Sequence, residues 1–184
     1  MPETGRTTLN LLPESMLLEQ SAAAFNDMKT GGDVLRDRDV IARIQRIGDR
    51  VLNAARQSGN LPPSDQWEFV VFDDDEVINA FAMPGGKVGV YTGIIKITDS
   101  DDELAAIIGH EIAHVSARHG NERMSQAMLI AGGGLLLNEA TREQSEEMRQ
   151  AILLAYGLGA TLGAQLPYSR LHENEADHIV LIYM

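Results

Sequence analysis

The sequence predicts an α+β fold, with helices before and after a small sheet of about three strands. Three observations predict this arrangement. Apolar residues recur at helical spacing in Val40–Ala55. The stretch WEFVVFDDD at Trp67–Asp75 is dense in aromatic and β-branched residues, which favour strands. A capped, mostly apolar helix then begins at Ser100. With 184 residues, the chain is most simply one domain.

The elements follow in order along the chain. Residues 1–60 are predicted to be helical: Glu14–Lys29 can form a helix despite a weak period, and the amphipathic helix from Val40 ends at SGNLPPSD. After the strand at Trp67–Asp75, the stretch Glu76–Ile95 is predicted to be a hairpin, since two apolar runs flank PGGK. These stretches provide the strands of the predicted sheet.

The helix that begins at Ser100 carries the clearest signals. Ser100 and Glu103 form an S-x-x-E capping box. Gly120 is predicted to end the helix, and His119, near the last carbonyls, is predicted to be a cation or a cap there. Three more helices are predicted after it, and they cover Met124–Leu137, Glu146–Leu166 and the stretch LPYSRLHENEADHIVLIYM at the end of the sequence.

Composition narrows the classes of function. The net charge is −12, so nucleic acid is not an expected partner, because nucleic-acid binders present a basic face. The chain has no cysteine, so any metal ion must be held by nitrogen and oxygen ligands. The opening MPETGRTTLN has no features of a signal peptide.

Two apolar runs, at Ala127–Leu137 and Ala151–Leu166, are shorter than the roughly 20 residues that span a bilayer. They are predicted to be buried or surface-associated helices. A peripheral contact with a membrane is the alternative. The sequence does not indicate an oligomeric state.

The motif HEIAH on the Ser100 helix predicts a metal site. His110 and His114 are one turn apart on one face, so both imidazoles can reach one ion. Glu111 is rotated about 100° from His110 and can approach a metal-bound water without being a ligand. A metal ion acidifies such a water, and the carboxylate can take its proton. The alternative is a helix whose histidines only cap or pack.

A catalytic zinc ion usually has three protein ligands and one open position, so a third ligand is needed. The stretch HENEADH at 172–178 offers several donors. Glu173 and Asp177 share a helix face, whereas Glu175 points roughly 200° away from Glu173. This pair could serve as one carboxylate ligand of the ion and one acceptor that orients a histidine ligand through its other ring nitrogen. A solvated acidic face explains the same spacing equally well.

A resemblance adds to this interpretation. HEIAH, followed some sixty residues later by YSRLHENEADHI, resembles the zinc endopeptidases of the HtpX and CAAX prenyl protease family, and more closely their soluble periplasmic BepA- and LoiP-like bacterial branch. The resemblance covers about Trp67 to the C-terminus. It implies a gluzincin-like (zincin) metallopeptidase core, mainly helical around the sheet. Residues 1–184 would then be one metallopeptidase domain, with the sheet and zinc-binding helices in residues 67–184.

The resemblance also implies roles for residues. His110, His114 and Glu173 would bind one Zn²⁺ per chain, with Glu111 as general base and then acid, and Asp177 as the companion of the ligands. The implied activity is endopeptidase cleavage of unfolded or misassembled proteins. The implied place is the periplasm or cell envelope of a bacterium, where the enzyme would serve protein quality control.

Two positions depart from the family pattern. Val180 stands where the family commonly has glycine, and the sequence stops at Met184 within an apolar helical pattern, which predicts a truncated C-terminus. Residues that stabilise the oxyanion are therefore not assigned. His119, Tyr168 and Arg170 are candidates, each with a structural role as the simpler interpretation.

Two other classes of function remain open from the sequence. One is a binding or chaperone-type module that keeps the fold but is held inactive. The other is a purely structural zinc site, completed by His172 or His178. For a peptidase, the strand at Lys87–Gly93 is a candidate edge for an extended peptide, whose backbone would approach the glycines. Alternatively, Gly89 and Gly93 mark only a bend and a turn.

Overall fold

A computed structural model describes residues 8–59, 61 and 66–184. The strands are β1 (Glu68–Phe72), β2 (Ala80–Met83) and β3 (Lys87–Tyr91). The helices are α1 (Glu14–Gly31), α2 (Arg38–Gln57), α3 (Thr92–Ile97), α4 (Asp101–Ser116), α5 (His119–Ala140), α6 (Glu146–Ala160) and α7 (Leu166–Tyr183). A π-helical segment, Thr161–Gln165, joins α6 to α7. These elements confirm the predicted architecture, in which helices surround a small sheet of three strands.

The strand order of the sheet is β1-β3-β2, with β1 parallel and β2 antiparallel to β3. The predicted strand Lys87–Gly93 is therefore the central strand, and the prediction that it offers an edge to a peptide is wrong. It also ends at Tyr91, because the next residues form α3. Among the described residues, β2 pairs only with β3 and forms the edge of the sheet opposite β1.

The glycines of this region are packed against their own chain. An added Cβ at Gly89 would lie 2.3 Å from the ring of Phe81, and one at Gly93 would lie 2.4 Å from the carbonyl oxygen of Val77. Neither position leaves room for another backbone. The bend-and-turn interpretation of Gly89 and Gly93 is thus the one that agrees with the packing.

The core lies between the sheet and three helices, α2, α4 and α7. Its fully buried residues include members of each of these helices and of β3: Ile44, Leu52, Val88, Val90, Leu104, Ile108, Ile112 and Ile179. Helix α4 runs between α2 and α7. At the crossing of α4 and α7, a Cβ on Gly109 would lie 2.8 Å from Cγ2 of Val180, so the side chain at position 180 fits against a glycine.

Helix α4 begins as predicted and ends earlier than predicted. The Ser100 hydroxyl accepts a hydrogen bond from the Glu103 amide, and the Glu103 carboxylate accepts one from the amide of Asp99. At the other end, Ser116 is the last helical residue, and Arg118 has a left-handed backbone with φ of 56°. Gly120 lies inside α5, so the prediction that it ends the helix is wrong.

Helices α5 and α6 pack against each other, and Tyr156 on α6 donates a hydrogen bond to the carbonyl of Ile130 on α5. Much of their apolar surface is exposed, including Leu135 at 71% and Leu136 at 75%. Of the two predicted alternatives, buried or surface-associated helices, full burial is excluded for this pair by the exposed leucines. Among the described residues, no helix is both long and apolar enough to cross a bilayer. Peripheral membrane contact stays a prediction.

Replacing Gly93 by alanine tests the packing at the end of β3. The new methyl group would meet backbone atoms of Asp75 and Val77, which cannot rotate away. We expect Gly93→Ala to lower the free energy of unfolding by about 1–3 kcal/mol in urea denaturation. The matched control is Gly157→Ala in α6, where an added Cβ has no atom within 4 Å. There we expect a gain of about 0.5–1 kcal/mol from helix propensity, and equal effects at both positions would contradict the packing argument.

Candidate metal centre

Helices α4 and α7 bring three donor atoms together. Nε2 of His110 lies 3.0 Å from Nε2 of His114 and 3.2 Å from Oε2 of Glu173. Nε2 of His114 lies 3.6 Å from the same oxygen of Glu173. The crossing of the two helices thus joins residues that are about sixty positions apart in sequence. Within the described part of the chain, this trio forms the one group with the spacing of a metal site.

The separations fit a tetrahedral ion. Ligands about 2.0–2.1 Å from a tetrahedral centre lie roughly 3.3 Å from one another, and the three separations here bracket that value. Two ring nitrogens and one carboxylate oxygen form the donor set. Imidazole and carboxylate together suit zinc, and a trio leaves one position of the tetrahedron open.

Asp177 lies on the far side of the His110 ring. Its Oδ1 is 3.0 Å from Nδ1 of His110. A proton on Nδ1 donates to this carboxylate, which leaves the lone pair of Nε2 directed at Glu173 and His114. Glu173 and Asp177, one turn apart on α7, therefore contact the same imidazole from two sides.

The surroundings favour a neutral imidazole and an ionised carboxylate, as metal binding requires. Burial is the main cause that lowers the pKa of His114 to about 4, and the neighbouring imidazole of His119 acts in the same direction. Burial alone would raise the pKa of Glu173, but His114 and His110 outweigh it and hold that pKa below its ordinary value.

Glu111 lines a cleft beside these three residues. Burial raises the pKa of its carboxyl group, and the backbone of Ala82 in β2 hydrogen bonds to it. The cleft has a volume of about 820 Å³ and lies between β2, α1 and the site, with Glu111, His114 and Glu173 in its wall. Arg123 also lines it, with Nη2 3.7 Å from Oε1 of Glu173. No motif in the sequence pointed to Arg123.

A buried cluster of two histidines and two glutamates lies next to the site, and no pattern in the sequence predicted it as a unit. Nε2 of His119 lies 3.0 Å from Oε2 of Glu175, and Nε2 of His172 lies 3.0 Å from Oε2 of Glu122. The two rings stack with centroids 4.2 Å apart. All four residues are buried. The available signal was the number of histidines and glutamates in otherwise apolar helices, since buried charges need partners.

The other candidates from the sequence lie elsewhere. His119 is 1% exposed, so its predicted role as a helix-end cation or cap is wrong. His178 and Arg170 are exposed, and the side chain of Tyr168 lies outside the described residues. Neither His172 nor His178 joins the group of donors found in the described part of the chain, so the structural-zinc interpretation lacks its fourth ligand there.

The chain belongs to peptidase family M48, whose family model matches residues 41–184. This match contains both helices of the candidate site. The family places the chain among the peptidases, in agreement with the class that the resemblance implied, and the three-stranded, mostly helical architecture is consistent with it.

Curated relatives are longer proteins. A mitochondrial metalloendopeptidase OMA1 from Saccharomyces cerevisiae is 32% identical over 77% of this chain and 40% of its own length. A beta-barrel assembly-enhancing protease from Yersinia pestis is 29% identical over 97% of this chain and 36% of its own length. The human metalloendopeptidase OMA1 is 29% identical over 98% of this chain and 35% of its own length. The chain thus spans at most two fifths of each of these three proteins.

The contact between Asp177 and His110 makes a prediction about metal affinity. Asp177→Asn removes the negative charge that orients the ring, and we expect it to raise the zinc dissociation constant about 10-fold or more. Competition with a chromogenic chelator measures this constant. Asp102→Asn makes the same chemical change on an exposed residue in the first turn of α4 and is the control. Equal affinities in Asp177→Asn and the parent chain would contradict the orienting role.

Proposed function

We propose that this protein is a zinc-dependent endopeptidase in which His110, His114 and Glu173 hold the ion. The observation that carries the proposal is the set of donor separations, 3.0, 3.2 and 3.6 Å, at the wall of a cleft that also contains Glu111. When bound, zinc would supply Lewis acidity that polarises a water molecule and the carbonyl of a peptide bond.

Glu111 is the proton carrier in this proposal. Its position in the cleft, next to His114 and Glu173 but outside the donor trio, leaves its carboxylate available to a water molecule. The carboxylate accepts one proton as the water oxygen bonds to the carbonyl carbon. It then delivers that proton to the amine nitrogen as the C–N bond breaks. The carboxyl group ends in the state in which it began.

The edge of β2 is the proposed place for the substrate backbone. The carbonyl of Asn79 accepts a hydrogen bond from the amide of Tyr91, and inward and outward residues alternate along an antiparallel strand. The backbone N–H and C=O of Phe81 therefore point toward β3, whereas those of Ala80 and Ala82 point away from β3, toward the edge of the sheet. Ala82 reaches Glu111 in this way, so the free edge runs along the cleft. An extended peptide added to this edge would pass Glu111.

An extended substrate explains why the enzyme would act on unfolded or misassembled proteins. A strand-like segment can enter the cleft only where the chain is not already folded. We propose that this activity serves protein quality control in a bacterial cell envelope. We also propose that the chain belongs to the HtpX-like family and, within it, to the BepA- and LoiP-like branch. The name of the Yersinia pestis relative, beta-barrel assembly-enhancing protease, supports this proposal. The relatives from Saccharomyces cerevisiae and Homo sapiens are named as mitochondrial proteins, so similar sequences occur in more than one compartment.

Glu111→Gln tests the chemistry. The amide keeps the size of the side chain but cannot accept a proton, so we expect kcat on an unfolded protein such as casein to fall at least about 100-fold. Zinc affinity should stay at the parent value, because Glu111 is not among the donors.

Two results would reject the mechanism. One is cleavage at the parental rate by zinc-loaded Glu111→Gln. The other is an inactive parent chain that nevertheless prevents aggregation of the unfolded substrate, which would favour the chaperone-type alternative.

Peptides methylated at single backbone nitrogens test the β2 edge. A methyl group on an amide that pairs with β2 removes one hydrogen bond and blocks the approach of the strand. We expect a rise in KM for alternating positions along the peptide, since every second residue of an added strand pairs with β2. Methyl groups at the intervening positions are the internal control. A uniform effect at all positions would contradict strand addition.

A further inference from the structure

A chain of buried hydrogen-bonding groups leads from His114 into the interior. Nδ1 of His114 lies 2.8 Å from Nδ1 of His119, and Nε2 of His119 lies 3.0 Å from Oε2 of Glu175. The side chains of His119 and Glu175 are 1% and 3% exposed. This chain of groups lies on the opposite side of the His114 ring from the donor trio.

The positions of the protons follow from these contacts. A metal ligand needs its lone pair free, so His114 must carry its proton on Nδ1 if Nε2 faces the ion. That N–H can donate only if Nδ1 of His119 accepts, which puts the proton of His119 on Nε2. This second N–H then donates to Glu175, an acceptor when ionised. If the hydrogen bond between the two Nδ1 atoms ran from His119 to His114, the proton of His114 would be on Nε2 and would block the ligand position.

A strained backbone conformation at Arg118 positions His119 for these contacts. Arg118 holds a left-handed conformation with φ of 56°, which is strained for a residue with a side chain. This turn ends α4 and starts α5. As a result, the ring of the next residue, His119, contacts the ring of His114 in the interior and does not point into solvent. A turn made only to connect two helices would be met more easily by glycine.

We propose that His119 and Glu175 are positioning residues that fix the metal-binding tautomer and ring orientation of His114. The proposal rests on the proposed metal site and adds to it two residues that bind no ion themselves. Helix α7 would then act on both histidine ligands: Asp177 orients His110 directly, and Glu175 orients His114 through His119.

The neighbouring pair provides a matched control. Glu122 is as deeply buried as Glu175 and is hydrogen bonded to His172, the ring that stacks on His119. Glu175→Gln and Glu122→Gln therefore make the same chemical change at similar depth. The described hydrogen bond of Glu122 joins it to His172, whereas that of Glu175 joins it to the ring that contacts a proposed ligand.

The experiment measures zinc affinity by chelator competition and records the visible spectrum of the Co²⁺-loaded chain. For Glu175→Gln we expect a zinc dissociation constant about 10-fold higher and an altered Co²⁺ spectrum, and for His119→Leu a rise of about 10–100-fold. His119→Asn should recover part of the loss, because its side-chain oxygen can accept from Nδ1–H of His114. Glu122→Gln should leave both zinc affinity and the Co²⁺ spectrum at the parent values, whatever its effect on thermal stability.

The outcomes separate the two proposals. If the parent chain binds no zinc, the proposed function fails, and this inference fails with it. If the parent binds zinc and Glu175→Gln binds it equally well with an unchanged Co²⁺ spectrum, only the positioning role is wrong. Equal losses in Glu175→Gln and Glu122→Gln would also overturn it, since they would indicate a general loss of packing. If His119→Leu does not fold, the two glutamine variants decide.

Discussion

The close crossing of α4 and α7 is the contact on which the candidate site depends. Gly109 faces Val180 at this crossing with no space for a side chain of its own. Ala113 on α4 and Ala176 on α7 are fully buried in the same core. Small residues let the two helix backbones approach, and the approach brings the imidazoles of α4 within about 3–4 Å of the Glu173 carboxylate. A wider crossing would leave two histidines on one helix and an unrelated acidic helix nearby.

The same crossing separates the three acidic residues of α7 by environment. Glu173 faces the cleft and is half exposed, Asp177 lies against His110 near the surface, and Glu175 is buried beside His119. Burying a carboxylate is costly unless it is hydrogen bonded, so the contact with His119 compensates for the position of Glu175. One helix can therefore provide a candidate ligand and two hydrogen-bond acceptors, one exposed and one buried.

The sequence predicts the local features and misses those that depend on long-range packing. The N-cap at Ser100 and the facing pair His110 and His114 follow from helix geometry alone, and the structure has both, although the Glu103 carboxylate bonds the amide of Asp99 and not that of Ser100. The central position of β3 was not predictable, because a hairpin pattern does not say where β1 pairs. The left-handed backbone of Arg118 was not predicted, because glycine is the usual residue at a helix end and Gly120 lies only two residues later.

Burial explains the remaining misses. His119 looks like a helix-end cation by position, and only the turn at Arg118 shows that its ring enters the interior. Glu175 points away from Glu173 as the helical period predicts, but the period does not say that the opposite side is also covered. The family pattern pointed to Glu173 and Asp177, so the third acidic residue of the helix received no role.

The most direct test of the central claim is an anomalous-scattering map at the zinc edge, from crystals of the chain grown with Zn²⁺. We expect one strong peak about 2.0–2.2 Å from Nε2 of His110, Nε2 of His114 and a carboxylate oxygen of Glu173, with no fourth protein ligand. A map without a peak there, or with zinc held by His172 and Glu122 instead, would contradict the claim.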